Sequence, residues 1–135
     1  MNLLDARRRA PRISVAGFCG VAVDNDLHHA SLTNLSTLGL RLERPYEPAG
    51  ASRVIQLEIE LPGLDEVVWT SAFVTRAVLT PMRGHRPDGR PRFWCRAGLR
   101  IGDTSRRERQ LLRDYVFEGL RARAVAPDRR LDQRA

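Results

Sequence analysis

Apolar and polar residues alternate with period two over most of this chain, and only near its end does the period lengthen. The clearest alternation is Ile55-Gln-Leu-Glu-Ile-Glu-Leu61, with Ile55, Leu57, Ile59 and Leu61 on one face and Gln56, Glu58 and Glu60 on the other. One apolar and one polar face predict a strand of an antiparallel sheet with a single buried side. Weaker versions of the pattern predict strands over Ile13–Asp24, residues 27–33, Leu38–Leu42, Val67–Leu79 and Phe93–Ile101. Pro45, Pro48 and Gly50 mark a loop, Pro62-Gly63 a tight turn, and Pro81–Pro91, with Asp88-Gly89 inside it, a hairpin loop. After Gly102, Ser105-x-x-Glu108 has capping-box spacing and leads into Leu111, Leu112, Tyr115, Val116 and Leu120 at helical intervals.

Six strands and then one helix, with no βαβ alternation, predict a mostly β fold: a six-stranded antiparallel barrel packed by a C-terminal helix. The predicted divisions are an arginine-rich arm over 1–12, a barrel over 13–102, a helix over 103–120 bounded by Gly119 and Pro127, and a charged tail over 121–135. A chain of 135 residues is one domain and can bury a self-sufficient core. Cys19 and Cys95 are far apart in sequence and form no CxxC, which excludes a disulfide scaffold or zinc ribbon. No run approaches a membrane span. The uncharged run Ile13–Val23 is broken by Ser14, Gly17 and Gly20 and has no A-x-A site, so no export signal is read and the expected compartment is the cytoplasm.

The charge is +7, but every one of the 23 basic residues is arginine. Such a bias reflects coding preference, so the placement of arginines carries more information than their sum. They cluster first at Arg7, Arg8, Arg9 and Arg12, where Arg8-x-x-x-Arg12 puts two guanidinium forks on a proline-stiffened segment. Such forks bind phosphate bidentately and donate to guanine O6 and N7. A second candidate is Asn34-Leu-Ser36-Thr-Leu-Gly39, read as a turn between strands. Asn34 offers a donor and an acceptor to a base edge, Ser36 offers a hydroxyl, and Gly39 admits a close approach. Each segment alone reads as a solvated terminus or an ordinary turn.

Taken in order, RxxxR followed by NxSxxG, with residues 13–33 between Arg12 and Asn34, resembles the PilZ domain, a bacterial receptor module for cyclic di-GMP. Leu38-Gly-Leu-Arg-Leu42, and Ala97-Gly-Leu-Arg-Ile101 running into the capped helix, extend the resemblance over residues 7–120. The resemblance implies a cyclic di-GMP receptor or adaptor that changes conformation and signals by protein contact. Arg8 and Arg12 would grip phosphates and guanines, Asn34 and Ser36 a guanine edge and its phosphate, and Gly39 would permit stacking. Arg7 and Arg9 would be additional contacts, and an arginine at position 7 goes with two intercalated ligand molecules. Asn34 stands where many members carry aspartate, which removes charge assistance from its bond to guanine.

The implied partner is an effector protein, for example of motility, pilus or exopolysaccharide machinery. Two other functions compete with this reading. One is a PilZ-like adaptor with weak or no nucleotide binding. The other is a basic barrel for nucleic acid, which is disfavoured because no strand interleaves aromatics with arginines. No catalytic set, cofactor or metal site is read. His28 and His29 are adjacent on a strand and point to opposite faces, and His85 stands alone.

Overall fold

The computed structural model describes residues 11–23, 26–46 and 53–134. Six strands follow one another: β1 (Arg12–Val23), β2 (Asp26–Ser36), β3 (Gly39–Pro45), β4 (Val54–Glu60), β5 (Val68–His85) and β6 (Pro91–Ile101). One helix, α1 (Arg106–Arg134), closes the sequence of elements. Every pairing is antiparallel, and the order β1-β2-β3-β6-β5-β4 closes on itself through β1 and β4. Closure gives each of the six strands two neighbours, which satisfies backbone groups that an open sheet would leave unpaired at its rim.

On β4 the inward residues are those the period-two pattern assigns, and residues of the neighbouring strands join them. Ile55, Leu57 and Ile59 of β4 are buried, as are Val21 of β1, Leu32 of β2 and Val68 of β5. Leu112 and Val116 of α1 belong to the same apolar cluster. The helix starts where the capping box predicts: Ser105 Oγ accepts a bond from Glu108 N at 3.1 Å and donates to Glu108 Oε1 at 3.3 Å. The Glu108 carboxylate also accepts from the backbone N–H of Trp69, and Tyr115 donates its hydroxyl proton to the carbonyl of Pro62 at 2.8 Å. The cap thus fixes the helix both to its own first turn and to the barrel.

Several boundaries differ from the sequence reading. Arg12, assigned to the arm, is the first residue of β1 and pairs with Ser36. Asn34 and Ser36, assigned to a turn, end β2, and only Thr37 and Leu38 turn the chain. The predicted loop over 81–91 is mostly strand: β5 reaches His85 and β6 begins at Pro91, with the turn confined to Arg86–Arg90. Pro81 and Pro91 fit because proline is tolerated at a bulge or strand start, and the register shifts between Pro81 and His85.

Nor does the helix end near Gly119. A glycine inside a helix costs only about 1 kcal/mol, and Arg121-Ala-Arg-Ala are good helix formers. Gly119 serves packing instead, since a Cβ there would lie 2.8 Å from Ile13 Cδ1. Trp69 and Phe73 of β5 are 53% and 46% exposed, so these two aromatics lie on the outward face and not in the core.

Both cysteines are free and buried, as expected of small strand residues. Burial pushes the Cys19 thiol up to about 12, with Arg44 lowering and Glu58 raising it by smaller amounts. The folded chain then holds this proton at a pH where the unfolded chain has lost it. The contribution is complete below the unfolded thiol's pKa of about 8.5 and is lost as pH rises through the folded value. This group's contribution to the unfolding free energy, measured with urea, is therefore expected to be flat across neutral pH and to fall above about pH 9, by at most about 1.4 kcal/mol per pH unit. The Cys19→Ala variant should show a shallower alkaline slope, and an unchanged slope would contradict the assignment. Tyr115, raised by burial, acts in the same direction.

Candidate functional site

The β1–β2 register places Arg12 opposite Ser36 and Ser14 opposite Asn34, while the intervening pair Ile13 and Leu35 is buried inward. Residues directly opposite on an antiparallel pair share a face. Arg12, Ser14 and Asn34 therefore occupy one outward patch, with the buried Ser36 at its edge. Arg12 and Ser14 are exposed and Asn34 is half-buried. Neither the Arg12 nor the Asn34 side chain has a hydrogen-bond or ion-pair partner among the described residues. A cation and an amide beside one another, both with unused capacity, suit a ligand with anionic oxygens and a polar edge.

Ser36 behaves differently. It is only 6% exposed, and its hydroxyl accepts from Leu38 N at 3.2 Å and from Gly39 N at 3.0 Å while donating to Gly39 O at 3.2 Å. One donor and two acceptors are the whole capacity of a hydroxyl, so Ser36 builds the two-residue turn from within. The Ser36→Ala variant strands two amides in a part-buried turn and is expected to cost about 1–3 kcal/mol in urea unfolding. A change below about 0.3 kcal/mol would mean that water replaces the hydroxyl without loss.

Gly39 is required by packing. A Cβ there would lie 2.4 Å from the backbone oxygen of Leu99 on β6, closer than any real contact. This approach brings two more arginines into the patch, neither of which the sequence reading placed at the site. Gly39-Leu-Arg41 of β3 and Gly98-Leu-Arg100 of β6 pair antiparallel, so that Gly39 faces Arg100 and Arg41 faces Gly98. Leu40 and Leu99 point inward and are buried. Each exposed guanidinium thus stands beside a position with no side chain, leaving a flat floor between arms of positive charge. Arg41 also lies opposite Asn34. The signal in the sequence was the repeated Gly-Leu-Arg, but only the register turns it into one site.

Further along the same strands Arg96 is already paired. Glu43 accepts from Trp94 Nε1 and binds Arg96 Nε, each at 3.2 Å. Those two residues are thereby drawn away from the Asn34 patch. Arg7, Arg8 and Arg9 lie outside the described residues. Arg12, the second arginine of the RxxxR spacing, and the Asn34–Gly39 segment are brought together. Among the described residues no group of three or more His, Cys, Asp or Glu could hold a metal ion, and no helix is long and apolar enough to cross a membrane.

Beside the patch, a groove of about 620 Å³ runs between β1 and α1, lined by Ile13, Ser14, Val15, Tyr115, Glu118 and Gly119 among others. Ser14 belongs to both features, since it pairs with Asn34 and also lines the groove.

Comparison with known proteins gives one family and one fold. The model of the PilZ domain family matches residues 6–118. Among solved structures, the PilZ domain of YcgR from Escherichia coli with c-di-GMP superimposes with a TM-score of 0.63 at 21% identity, covering 90% of this chain and 98% of that one. The Bacillus subtilis inhibitor of motility, MotI/DgrA, gives 0.60 at 17% identity over 83% of this chain and 50% of its own. The Borreliella burgdorferi PlzA protein in complex with c-di-GMP gives 0.59 at 10% identity over 91% and 54%. The chain therefore spans about half the length of the last two. No curated protein matches it by sequence.

Proposed function

Because the chain belongs to the PilZ domain family, we propose that it is a receptor for cyclic di-GMP, bound on the outward patch of β1, β2, β3 and β6. The observation that carries this reading is the set Arg12, Asn34, Arg41 and Arg100, none with a side-chain partner among the described residues, around the floor made by Gly39 and Gly98. The complexes of E. coli YcgR and B. burgdorferi PlzA with c-di-GMP support the ligand's identity.

The chemistry of the ligand fits these groups. Two phosphodiesters meet the guanidinium forks of Arg8, Arg12, Arg41 and Arg100, with Arg7 and Arg9 as further donors. Guanine presents acceptors at O6 and N7 to an arginine, and N–H donors to the amide oxygen of Asn34. The base rests over Gly39 and Gly98, which carry no side chains of their own. Ser36 acts chiefly by holding the turn. Only its donated bond to Gly39 O can be exchanged for one to a phosphate oxygen without breaking the turn's amide bonds. With an arginine at position 7, two ligand molecules per site are expected.

Binding at the start of β1 acts on the α1 groove through Ser14 and Ile13, the latter in contact range of Gly119. The output is a change in how β1, the preceding arm and α1 present themselves to an effector protein. The patch performs no bond-making chemistry.

Calorimetric titration with cyclic di-GMP, and separately with single-stranded DNA across salt concentrations, tests the reading. Saturable binding of the dinucleotide at two molecules per chain is expected, with weak DNA binding. A 1:1 ratio removes the paired ligand but leaves the receptor. No dinucleotide binding leaves an adaptor working by protein contact, and tight, steeply salt-dependent DNA binding would overturn the receptor reading.

A further inference from the structure

β5 is much longer than the strand it shares with β4. Their ladder ends at Val54 opposite Phe73, with one further backbone bond from Val74 N to the carbonyl of Arg53. From Thr75 onward β5 pairs with β6 alone, as far as His85 opposite Pro91. Its other edge has no partner strand among the described residues. Thr75, Arg76, Ala77, Val78, Leu79, Thr80 and Pro81 are all exposed. Val78 and Leu79, which point to opposite faces, are 44% and 43% exposed.

An edge of this composition is a template for strand addition. Thr75, Val78 and Thr80 are β-branched and favour extended backbone. A free row of N–H and C=O groups binds any chain that can lie beside it. Natural edges are usually interrupted, and here the interruptions flank the free stretch: the register shifts between Val74 and Arg76 and again between Pro81 and His85. About six residues remain between them, a span of roughly 20 Å.

Charge selects the occupant. Residues 75–96 carry six arginines (76, 83, 86, 90, 92 and 96) against one acid, Asp88. Arg86 and Arg90 share Asp88 at 3.9 Å, and Arg96 is held by Glu43. Arg76 and Arg83, the two on β5 itself at either end of the free edge, have no ion pair among the described residues. Self-pairing of two copies about Val78 would line one seam with four such guanidiniums and no carboxylate. Like charges across adjacent strands are unfavourable, and an acidic strand reverses the sign of that term.

We infer that the free edge of β5 from Thr75 to Thr80 is a docking site for an extended acidic segment of a partner protein, which adds as a strand while its carboxylates meet Arg76 and Arg83. The near end of this edge adjoins the nucleotide patch, since Arg76 pairs with Gly98 and Thr75 donates to the Gly98 carbonyl at 3.0 Å, but strand addition uses the opposite edge of β5 and does not depend on the nucleotide reading.

The test uses the intact chain and three blocked ten-residue peptides: one alternating glutamate with valine, one alternating lysine with valine, and the glutamate peptide N-methylated at alternate positions. The glutamate peptide is expected to slow amide hydrogen exchange within 75–80 at least tenfold and to bind at least tenfold tighter than the lysine peptide. N-methylation, which abolishes strand pairing without altering the protein, should remove the binding. The Arg76→Glu, Arg83→Glu double variant, checked for native circular dichroism, should reverse the preference. Equal affinity for the two charged peptides, protection elsewhere than 75–80, or no binding would overturn the proposal. So would concentration-dependent self-association that protects the same amides, because the occupant would then be a second copy.

Discussion

Replacing Arg12 by alanine is expected to weaken cyclic di-GMP binding at least tenfold while leaving the thermal midpoint within about 2 °C of the parent. The two halves of this expectation have separate causes. A charge-assisted bond to phosphate is worth roughly 1.5–3 kcal/mol, so one lost guanidinium gives a tenfold change or more. Stability is spared because the Arg12 side chain is exposed and has no partner among the described residues, and an exposed substitution of this kind is usually within about 0.5 kcal/mol. The backbone pairing with Ser36 survives in alanine. Isothermal calorimetry and a thermal melt on the same preparation check both halves. Parental affinity in the variant would remove Arg12 from the site.

The Gly39→Ala variant should fail in the opposite way, losing stability first. Its Cβ would lie 2.4 Å from a backbone oxygen of Leu99, and neither atom belongs to a side chain that can swing aside. β3 and β6 must separate where Gly-Leu-Arg meets Gly-Leu-Arg. Overpacking of this kind costs typically 1–3 kcal/mol, and a backbone clash belongs at the upper end, about 3 kcal/mol. Urea unfolding measures it. The same displacement moves Arg100, so affinity in the folded fraction should fall as well. A loss below about 0.5 kcal/mol would show that the two strands have room the geometry denies them.

These two variants also mark what the sequence could and could not disclose. The barrel was legible where one face is wet: Ile55, Leu57 and Ile59 alternate with polar residues and are buried. The helix start was legible because a capping box is a local motif, and Ser105 and Glu108 form it. Its end was not, since Gly119 reads as a stop signal yet serves close packing on Ile13. Prolines misled in the same manner at 81 and 91, where they sit at a register shift and a strand start.

At the site, Arg12 and Asn34 were legible as chemistry, and the register brings them to one face. Arg41 and Arg100 lie far apart in sequence, and only the pairing of β3 with β6 makes them neighbours. Ser36 shows the converse. Its residue type suggests a ligand contact, but its three bonds are local, and hydrogen-bond saturation is a property of the folded turn.

The most direct test of the account is an amide chemical-shift map of the isotopically labelled chain at saturating cyclic di-GMP. The account predicts the largest changes at Arg12, Ser14, Asn34, Gly39, Arg41, Gly98 and Arg100, with smaller ones at Ile13 and Gly119 across the groove. Glu58, Glu60 and Trp69, on the outward faces of β4 and β5 near the barrel's other seam, should remain still. Saturable changes centred on that acidic face instead, or a spectrum unaltered by the dinucleotide, would contradict it.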